Sequence, residues 1–259
     1  MLAMIVPCYN EAQRLDLTYW AEMLKIPDTQ WIFVNDGSSD HTQDVLENLA
    51  KDYGARVLKL DVNMGKANAI RSGLLMFLDP SQFPKVTALG FIDADGAFER
   101  NDVAHIIGVH QRMSVAESVD TTWSARVGLS GRNIRRSLTR HYLGRVLATA
   151  LSLGPAKFPY DTQSGLKLFG RSPEFFATLR QPFGTRWLFE VEILLRWRAE
   201  VGRGMRVWEE PLHAWTDVAG SKVSIREYIR IFGEFVKVKR LQNRLSRDHR
   251  NLEFVEPLR

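Results

Sequence analysis

Short continuous apolar runs alternate along this chain with stretches of helical period. The first run, "AMIVPCY", reads as a buried strand broken by Pro7, and a helical pattern follows from Glu11 to Leu24. A second strand, "WIFVND", runs into the turn residues "GSSD". Asp40, or the serines before it, can cap a helix reaching Leu49. "RVLKLDV" is a third strand, and the next helix opens at Asn63 and Gly65. "KVTALGFIDAD" makes a fourth strand, "NDVAHIIGVHQRM" a helix and "TTWSARV" a short strand. This alternation predicts an α/β fold, a mostly parallel central sheet with helices on both faces.

Beyond Arg126 the alternation weakens. A basic helical segment leads to a strand in "DTQSGLKLFGR", a helix spans Glu190 to Glu200, and "MRVWEEPLHAWT" reads as strands. From Ser224 to about Ser246 the pattern is helical. Ile225, Tyr228, Ile229, Phe232, Phe235 and Val236 form one apolar stripe beside Arg226, Arg230, Lys237 and Arg244. No repeat, low-complexity tract or flexible linker interrupts the chain. The expectation is a catalytic domain over 1–221 and a basic amphipathic helical segment over 222–259.

At 259 residues, 45% hydrophobic and 25% charged, the chain can bury a sizeable core. The single cysteine, Cys8, rules out an intrachain disulfide or a multi-cysteine zinc site and is expected in the core. No run approaches the ~18 apolar residues of a membrane span. The first apolar run is short and lacks a basic leader. A cytoplasmic protein is expected, one that meets a membrane only peripherally. The net charge of +5 is unevenly placed: Arg126 to Arg145 carries six arginines and no acid, and Lys222 to Arg247 carries eight basic residues against Glu227 and Glu234. Such clusters read either as solvated basic faces or as sites for an anionic partner. Nucleic acid is not expected, because no aromatic platform is interleaved with them.

The strand ends carry the chemistry. In open α/β sheets ligands bind beyond the carboxyl ends of the strands. Here those ends hold Tyr9, Asn10 and Glu11, then Asn35, Asp36 and Gly37, then Asn63, Gly65 and Lys66, and finally Asp93 and Asp95. Neither a G-x-G-x-x-G after the first strand nor a G-x-x-x-x-G-K-[ST] is present, which argues against a dinucleotide-binding dehydrogenase and a P-loop enzyme. Asp93 and Asp95, two residues apart at the end of a buried strand, repel one another unless a cation neutralises them. Carboxylates in that setting suit a hard ion such as Mg²⁺ or Mn²⁺, which also binds phosphates.

The segments "IVPCYNEAQRL", "VNDGSSDHT", "NMGKANAIRSGL" and "IDADG" resemble, in order and spacing, the family-2 glycosyltransferases of the GT-A fold, a Rossmann-like architecture. "SARVGLSGRNIRRS", "DTQSGLKLFGR", "RWLFEVEILLR" and "WTDVAGSKVS" are similar to the polyprenyl- and dolichyl-phosphate glucosyltransferases and mannosyltransferases, and the resemblance covers about Met4 to Ser224. It implies a nucleotide-sugar donor, with UDP-glucose favoured, and a polyprenyl-phosphate acceptor. It places Pro7, Tyr9 and Glu11 in the nucleotide pocket, Asp36 on the base, and Asn63 and Lys66 beside ribose and phosphates. Asp93 would meet the nucleoside or sugar end and join Asp95 at the metal. Where many mannosyl members carry a glutamine two residues after the second aspartate, this chain has Ala97, so water takes that place.

Direct displacement on such a donor inverts the anomeric centre and leaves charge on a diphosphate, which Asp95's metal and Lys222 would neutralise. A lipid phosphate acceptor needs cations more than a base, and Arg126, Arg135 and Arg136 fit that need. Asp161 and Gln163 would position the acceptor or sugar, with Asp161 the first candidate base for a hydroxyl acceptor. Trp187 and Glu190 read either as a sugar contact or as a buried helix start. His213 and Trp215 read as strand packing, His105, His110 and His141 as surface-facing groups, and Glu209 and Glu210 as loop charges. Transfer to a saccharide or another hydroxyl acceptor, and a nucleotide-sugar-binding module without turnover, are the competing readings.

Overall fold

The computed structural model describes residues 1–116, 119–135, 144–146, 148–151, 158–201, 205–216 and 225–248. Strands β1 (Leu2–Cys8), β2 (Thr29–Asp36), β3 (Arg56–Leu60) and β4 (Ala88–Ile92) lie parallel in the order β3-β2-β1-β4. The later strands are β5 (Thr121–Ala125), β6 (Asn133–Arg135), β7 (Leu166–Gly170), β8 (Val207–Pro211) and β9 (Ala214–Thr216). β7 lies antiparallel between β4 and β5, β8 extends the edge parallel to β5, and β6 and β9 form a small separate pair. The sheet is therefore mostly parallel, as the alternation implied, with one reversed strand that local periodicity does not reveal.

That reversal places the site. Because Leu166 faces Ile92 across the β4–β7 ladder, the turn before β7 is delivered to the carboxyl end of β4. Asp161 to Gly165 thus reach the place where Asp93 begins.

Alternate residues of each strand feed two cores. Met4, Val6 and Cys8 pack with Trp20 of α1 (Leu17–Met23), Leu46 of α2 (Thr42–Tyr53) and Ile106 of α4 (Arg100–Val115). Ala3 and Ile5 face the opposite side, with Ile70 of α3 (Lys66–Leu75), Phe175 of α5 (Pro173–Thr178) and Phe189 of α6 (Phe189–Val201). Cys8 is buried as expected.

Several boundaries differ from the periodicity. α1 starts at Leu17 because the Asp16 carboxylate accepts the Tyr19 N–H; residues 11–15 form a turn closed on the Glu11 carbonyl. α5 is absent from the sequence reading, although Ser172 caps it and Pro173 opens it. The C-terminal helix α7 (Ile225–Asp248) docks on α6 through buried Glu234, Val238 and Gln242, one per turn. Phe232, expected in its apolar stripe, is 68% exposed, because the docking seam runs through the i+4 series of Glu234 instead. The side chains of Ile225, Arg226, Tyr228 and Ile229 lie outside the described residues.

His110, expected on a surface, is fully buried in α4, with hydrogen bonds to Thr122 Oγ1 (2.9 Å) and Ser114 Oγ (3.3 Å). Burial lowers its pKa from 6.5 to about 4. Below pH 6.5 an unfolded chain binds a proton that the fold refuses until about pH 4, so stability falls as pH drops through that window. Denaturant titrations between pH 7 and 4 should show a smaller loss for His110→Gln than for the wild type. An equal loss would mean that His110 does not drive it.

Candidate active site

β4 ends at Ile92, and Asp93 turns out of the sheet with its N–H donated to the Gly165 carbonyl at 3.0 Å. Its carboxylate meets Lys66 Nζ at 2.6 Å. Gly165 has to be glycine here, since a β-carbon would stand 2.3 Å from Asp93 Oδ2. The Ala94 carbonyl accepts the Trp20 indole N–H at 3.2 Å, which fixes the loop from beneath. Asp95 is exposed, and its Oδ1 accepts the Ala97 N–H at 3.1 Å.

Lys66 opens α3, and Asp36 sets its position by accepting the Met64 N–H at 2.7 Å and the Gly65 N–H at 2.8 Å. Asp36 was expected on a base. It is buried with both oxygens on this loop, so it holds the cleft wall. Gly37 allows the approach, with φ +63 and a would-be β-carbon 2.4 Å from the Val62 carbonyl carbon. Asn10 ties β1 to the same wall, donating its N–H to Ser38 Oγ and receiving the Ser39 N–H. Tyr9 and Asn63 stay exposed on the rim and Pro7 is half-buried in β1.

Charge is concentrated along this edge. Burial works against the Lys66 ammonium, but the Asp93 and Glu190 charges outweigh it and raise its pKa. Protein packed around Asp95, and then the Asp93 charge, push the Asp95 carboxyl up. Burial raises Glu11 too, helped by Asp95. A divalent cation relieves such crowding, and the exposed Asp95 fits as its ligand, with substrate oxygens and water filling the other positions. Asp93 is already engaged by Lys66. Among the described residues no group of three or more His, Cys, Asp or Glu could hold a metal ion by itself.

The opposite wall is basic. Arg126, directly after β5, grips Asp161 through Nε (2.7 Å), Nη2 (2.8 Å) and its backbone N–H (3.0 Å). The guanidinium also lies 4.9 Å from the Trp215 ring. Asp161 is 6% exposed, and both its oxygens accept from the Arg126 guanidinium. Gln163 is half-buried and donates its N–H to Asp161 Oδ1 at 3.3 Å. Glu209, expected as a loop charge, accepts the Asp161 N–H at 3.1 Å, and burial raises its pKa. Glu210 meets His105 Nε2 at 3.0 Å, and His213 is held by Asp102 of α4 at 2.8 Å. Arg135 is exposed in β6 opposite Thr216 of β9, and a bridge joins Phe98 to Trp215. A cavity of about 400 Å³, lined by Tyr19, Phe98, Arg100 and Trp215 among others, opens beside Asp95. Arg136, His141 and Lys222 lie outside the described residues.

Behind the cleft is a charge pair that the sequence reading missed. Lys167 in β7 is fully buried, its Nζ bonded to the Ser164 carbonyl, 4.5 Å from the Trp123 ring and 4.0 Å from Glu190 Oε1. The only sequence signal is a lysine inside the apolar run "GLKLFG". Burial lowers Lys167 to about 8 and raises Glu190. Among the described residues Glu190 Oε2 is buried without a hydrogen-bond partner. Trp187, just ahead of α6, is half-buried.

Residues 3–185 match the family model described as glycosyl transferase family 2. A dolichyl-phosphate beta-glucosyltransferase of Trichomonas vaginalis is 31% identical over 250 residues, 92% of this chain and 72% of that one. The dolichyl-phosphate beta-glucosyltransferases of Saccharomyces cerevisiae and Homo sapiens are 28% and 30% identical, each over 86% of this chain and 69% of their own length. Among solved structures, mannosyl-3-phosphoglycerate synthase from Rubrobacter xylanophilus matches at TM-score 0.65 and 19% identity, over 98% of this chain and 77% of that one. Glucosyl-3-phosphoglycerate synthase from Mycobacterium tuberculosis, in complex with Mn²⁺, uridine diphosphate and glucosyl-3-phosphoglycerate, matches at TM-score 0.60 and 18% identity, over 92% and 78%. These likenesses bear out the GT-A fold.

The Lys167 site has a pH signature. An unfolded lysine keeps its proton to about pH 10.5, whereas the folded one releases it near pH 8, so stability should rise across that window relative to Lys167→Met. Chemical denaturation of both proteins at pH 8 and 10 measures it. A stability gap that does not change with pH would show that Lys167 does not titrate there.

Proposed function

Because this chain belongs to glycosyl transferase family 2, we propose that it moves glucose from UDP-glucose to a polyprenyl phosphate with inversion of the anomeric centre. The dolichyl-phosphate beta-glucosyltransferases that resemble it over most of its length support the sugar and the acceptor class. Mg²⁺ or Mn²⁺ belongs to the proposal, in keeping with the Mn²⁺ in the mycobacterial synthase complex that shares the fold.

One observation carries this choice of acceptor. Asp161 is the first candidate base for a hydroxyl acceptor, and Arg126 already holds both its oxygens. An acceptor phosphate is anionic at neutral pH and needs no deprotonation, so arginines suit it and a free base is unnecessary. Arg126 and Arg135 are assigned to that phosphate, together with Arg136.

The donor lies against the acidic wall. Pro7, Tyr9 and Glu11 border the nucleotide, and Asn63 and Lys66 stand at ribose and phosphates. Glu190 Oε2, which has no hydrogen-bond partner among the described residues, is assigned to a sugar hydroxyl, with Trp187 against the ring. An acceptor oxygen attacks the anomeric carbon as its bond to the diphosphate breaks, and the leaving charge is assigned to Lys66 and, from the family resemblance, to Lys222. A divalent ion bound at Asp95 would supply further neutralisation of that diphosphate.

Residues 1–221 are taken as the catalytic unit. No described helix is long and apolar enough to cross a membrane. Peripheral contact with an anionic bilayer on the cytoplasmic side is proposed through α7. Its exposed Arg230, Lys237, Arg240 and Arg244, with exposed Phe232, support that contact.

Incubation with labelled UDP-glucose, Mg²⁺ or Mn²⁺ and a short polyprenyl phosphate should carry label into the organic phase. Label that moves only to a saccharide would sink the acceptor assignment. Asp95→Asn should lower metal-dependent turnover by about a hundredfold or more. Arg135→Ala should raise the acceptor KM by about tenfold while leaving the donor KM unchanged. In flotation with anionic vesicles the protein should rise at low salt; protein left at the bottom would remove the membrane contact.

A further inference from the structure

Five consecutive backbone amides lead into α6, and two buried carboxylates receive all of them. Glu192, inside α6, accepts the Gly184 N–H (3.2 Å) and the Thr185 N–H (3.0 Å). Glu234, on the C-terminal helix, accepts the Arg186 N–H (2.9 Å), the Trp187 N–H (2.8 Å) and the Leu188 N–H (3.1 Å). Glu234 is 4% exposed, so these bonds replace its hydration. Amides ahead of a helix lack partners within it, and a carboxylate there also meets the positive end of the helix dipole. Here the cap comes from a different helix, more than forty residues further along the chain.

What the cap holds is next to the cleft. The Arg186 guanidinium lies against Gly65, the residue that opens α3. A side chain at Gly65 would meet Arg186 Nε at 3.1 Å. Arg186 is exposed, and its charge reaches Asp36. Lys66 follows Gly65, and Glu190 sits in the first turn of α6. Lys237 adds a contact from α7 to the same turn, at the Gly184 carbonyl (3.3 Å). We infer that Glu234 is a positioning residue for donor binding: its carboxylate fixes the turn that aims Arg186 at the phosphate end of a nucleotide sugar and sets Trp187 and Glu190 at its sugar end. This rests on the proposed donor site and extends it to the C-terminal helix.

Glu234→Gln keeps the size of the side chain but turns an N–H₂ toward at least one of the three amides. Arg186 and Trp187 must then be ordered by the ligand, so the donor KM should rise by about tenfold. The turnover number should stay within about twofold. Hydrogen exchange should quicken at Arg186 to Leu188, while Gly184 and Thr185, held by Glu192, stay slow. Val238→Ala is the control. It loosens the packing of α7 against Leu188, Val191 and Leu195 without touching the carboxylate, and its donor KM should stay within about twofold of wild type.

A Glu234→Gln protein with wild-type donor KM, even if its melting temperature falls, would overturn the inference and leave the proposed function standing. Equal rises in KM for Glu234→Gln and Val238→Ala would overturn it too, because undocking alone would then account for the effect. A wild-type chain that consumes no nucleotide sugar would overturn both this inference and the proposed function.

Discussion

Two carboxylates at the end of one buried strand cannot stand together without positive charge, and the site is built around that constraint. Lys66 supplies the resident charge by reaching Asp93 from the start of α3. Asp36 must therefore hold the loop before Lys66, and Gly165 must leave room for the Asp93 carboxylate. Glu190 then faces Lys66 from behind, and Lys167 faces Glu190 from deeper still. Charge alternates from the open cleft into the core, and each neighbour offsets part of the cost of burying the next, although burial still outweighs it at Glu190 and Lys167. Asp95, outside this series, is left to meet solvent.

The two walls of the cleft differ in kind. The acidic wall comes from the parallel half of the sheet, where strand ends naturally collect ligand-binding groups. The basic wall comes from the reversed strand β7 and the small β6–β9 pair, which bring Asp161, Arg126 and Trp215 together. Arg126 is fixed on one side by a carboxylate and beneath by an indole ring. A guanidinium constrained in this way loses little rotamer freedom on meeting an anion.

Much of the fold was legible because buried parallel strands are continuous apolar runs, and β1, β2 and β4 are of that kind. Their polar ends were legible too, since Asn10 and Glu11 follow β1, Asp36 closes β2, and Asp93 and Asp95 follow β4. The direction of β7 was not, because a strand's neighbours are chosen by distant segments. For the same reason Asp161 looked like a free base, Glu209 a loop charge and His110 a surface group. Whether a polar side chain is buried depends on partners that lie far away in sequence, here Arg126, Asp161 and Thr122. Glu234 looked like one acid in a basic stretch; its meaning lies in the three amides just ahead of another helix.

The strand order has a consequence at its two open borders. β3 ends the sheet on one side and carries Arg56 and Lys59, whereas β8 ends it on the other with Glu209, Glu210 and Pro211. Two copies that approached through β3 would bring like charges together, and at β8 the proline offers no amide for a new ladder. The outermost strands thus discourage the sideways stacking of sheets that leads to fibrils, while Glu209 and Glu210 of β8 hold neighbouring side chains and backbone in place.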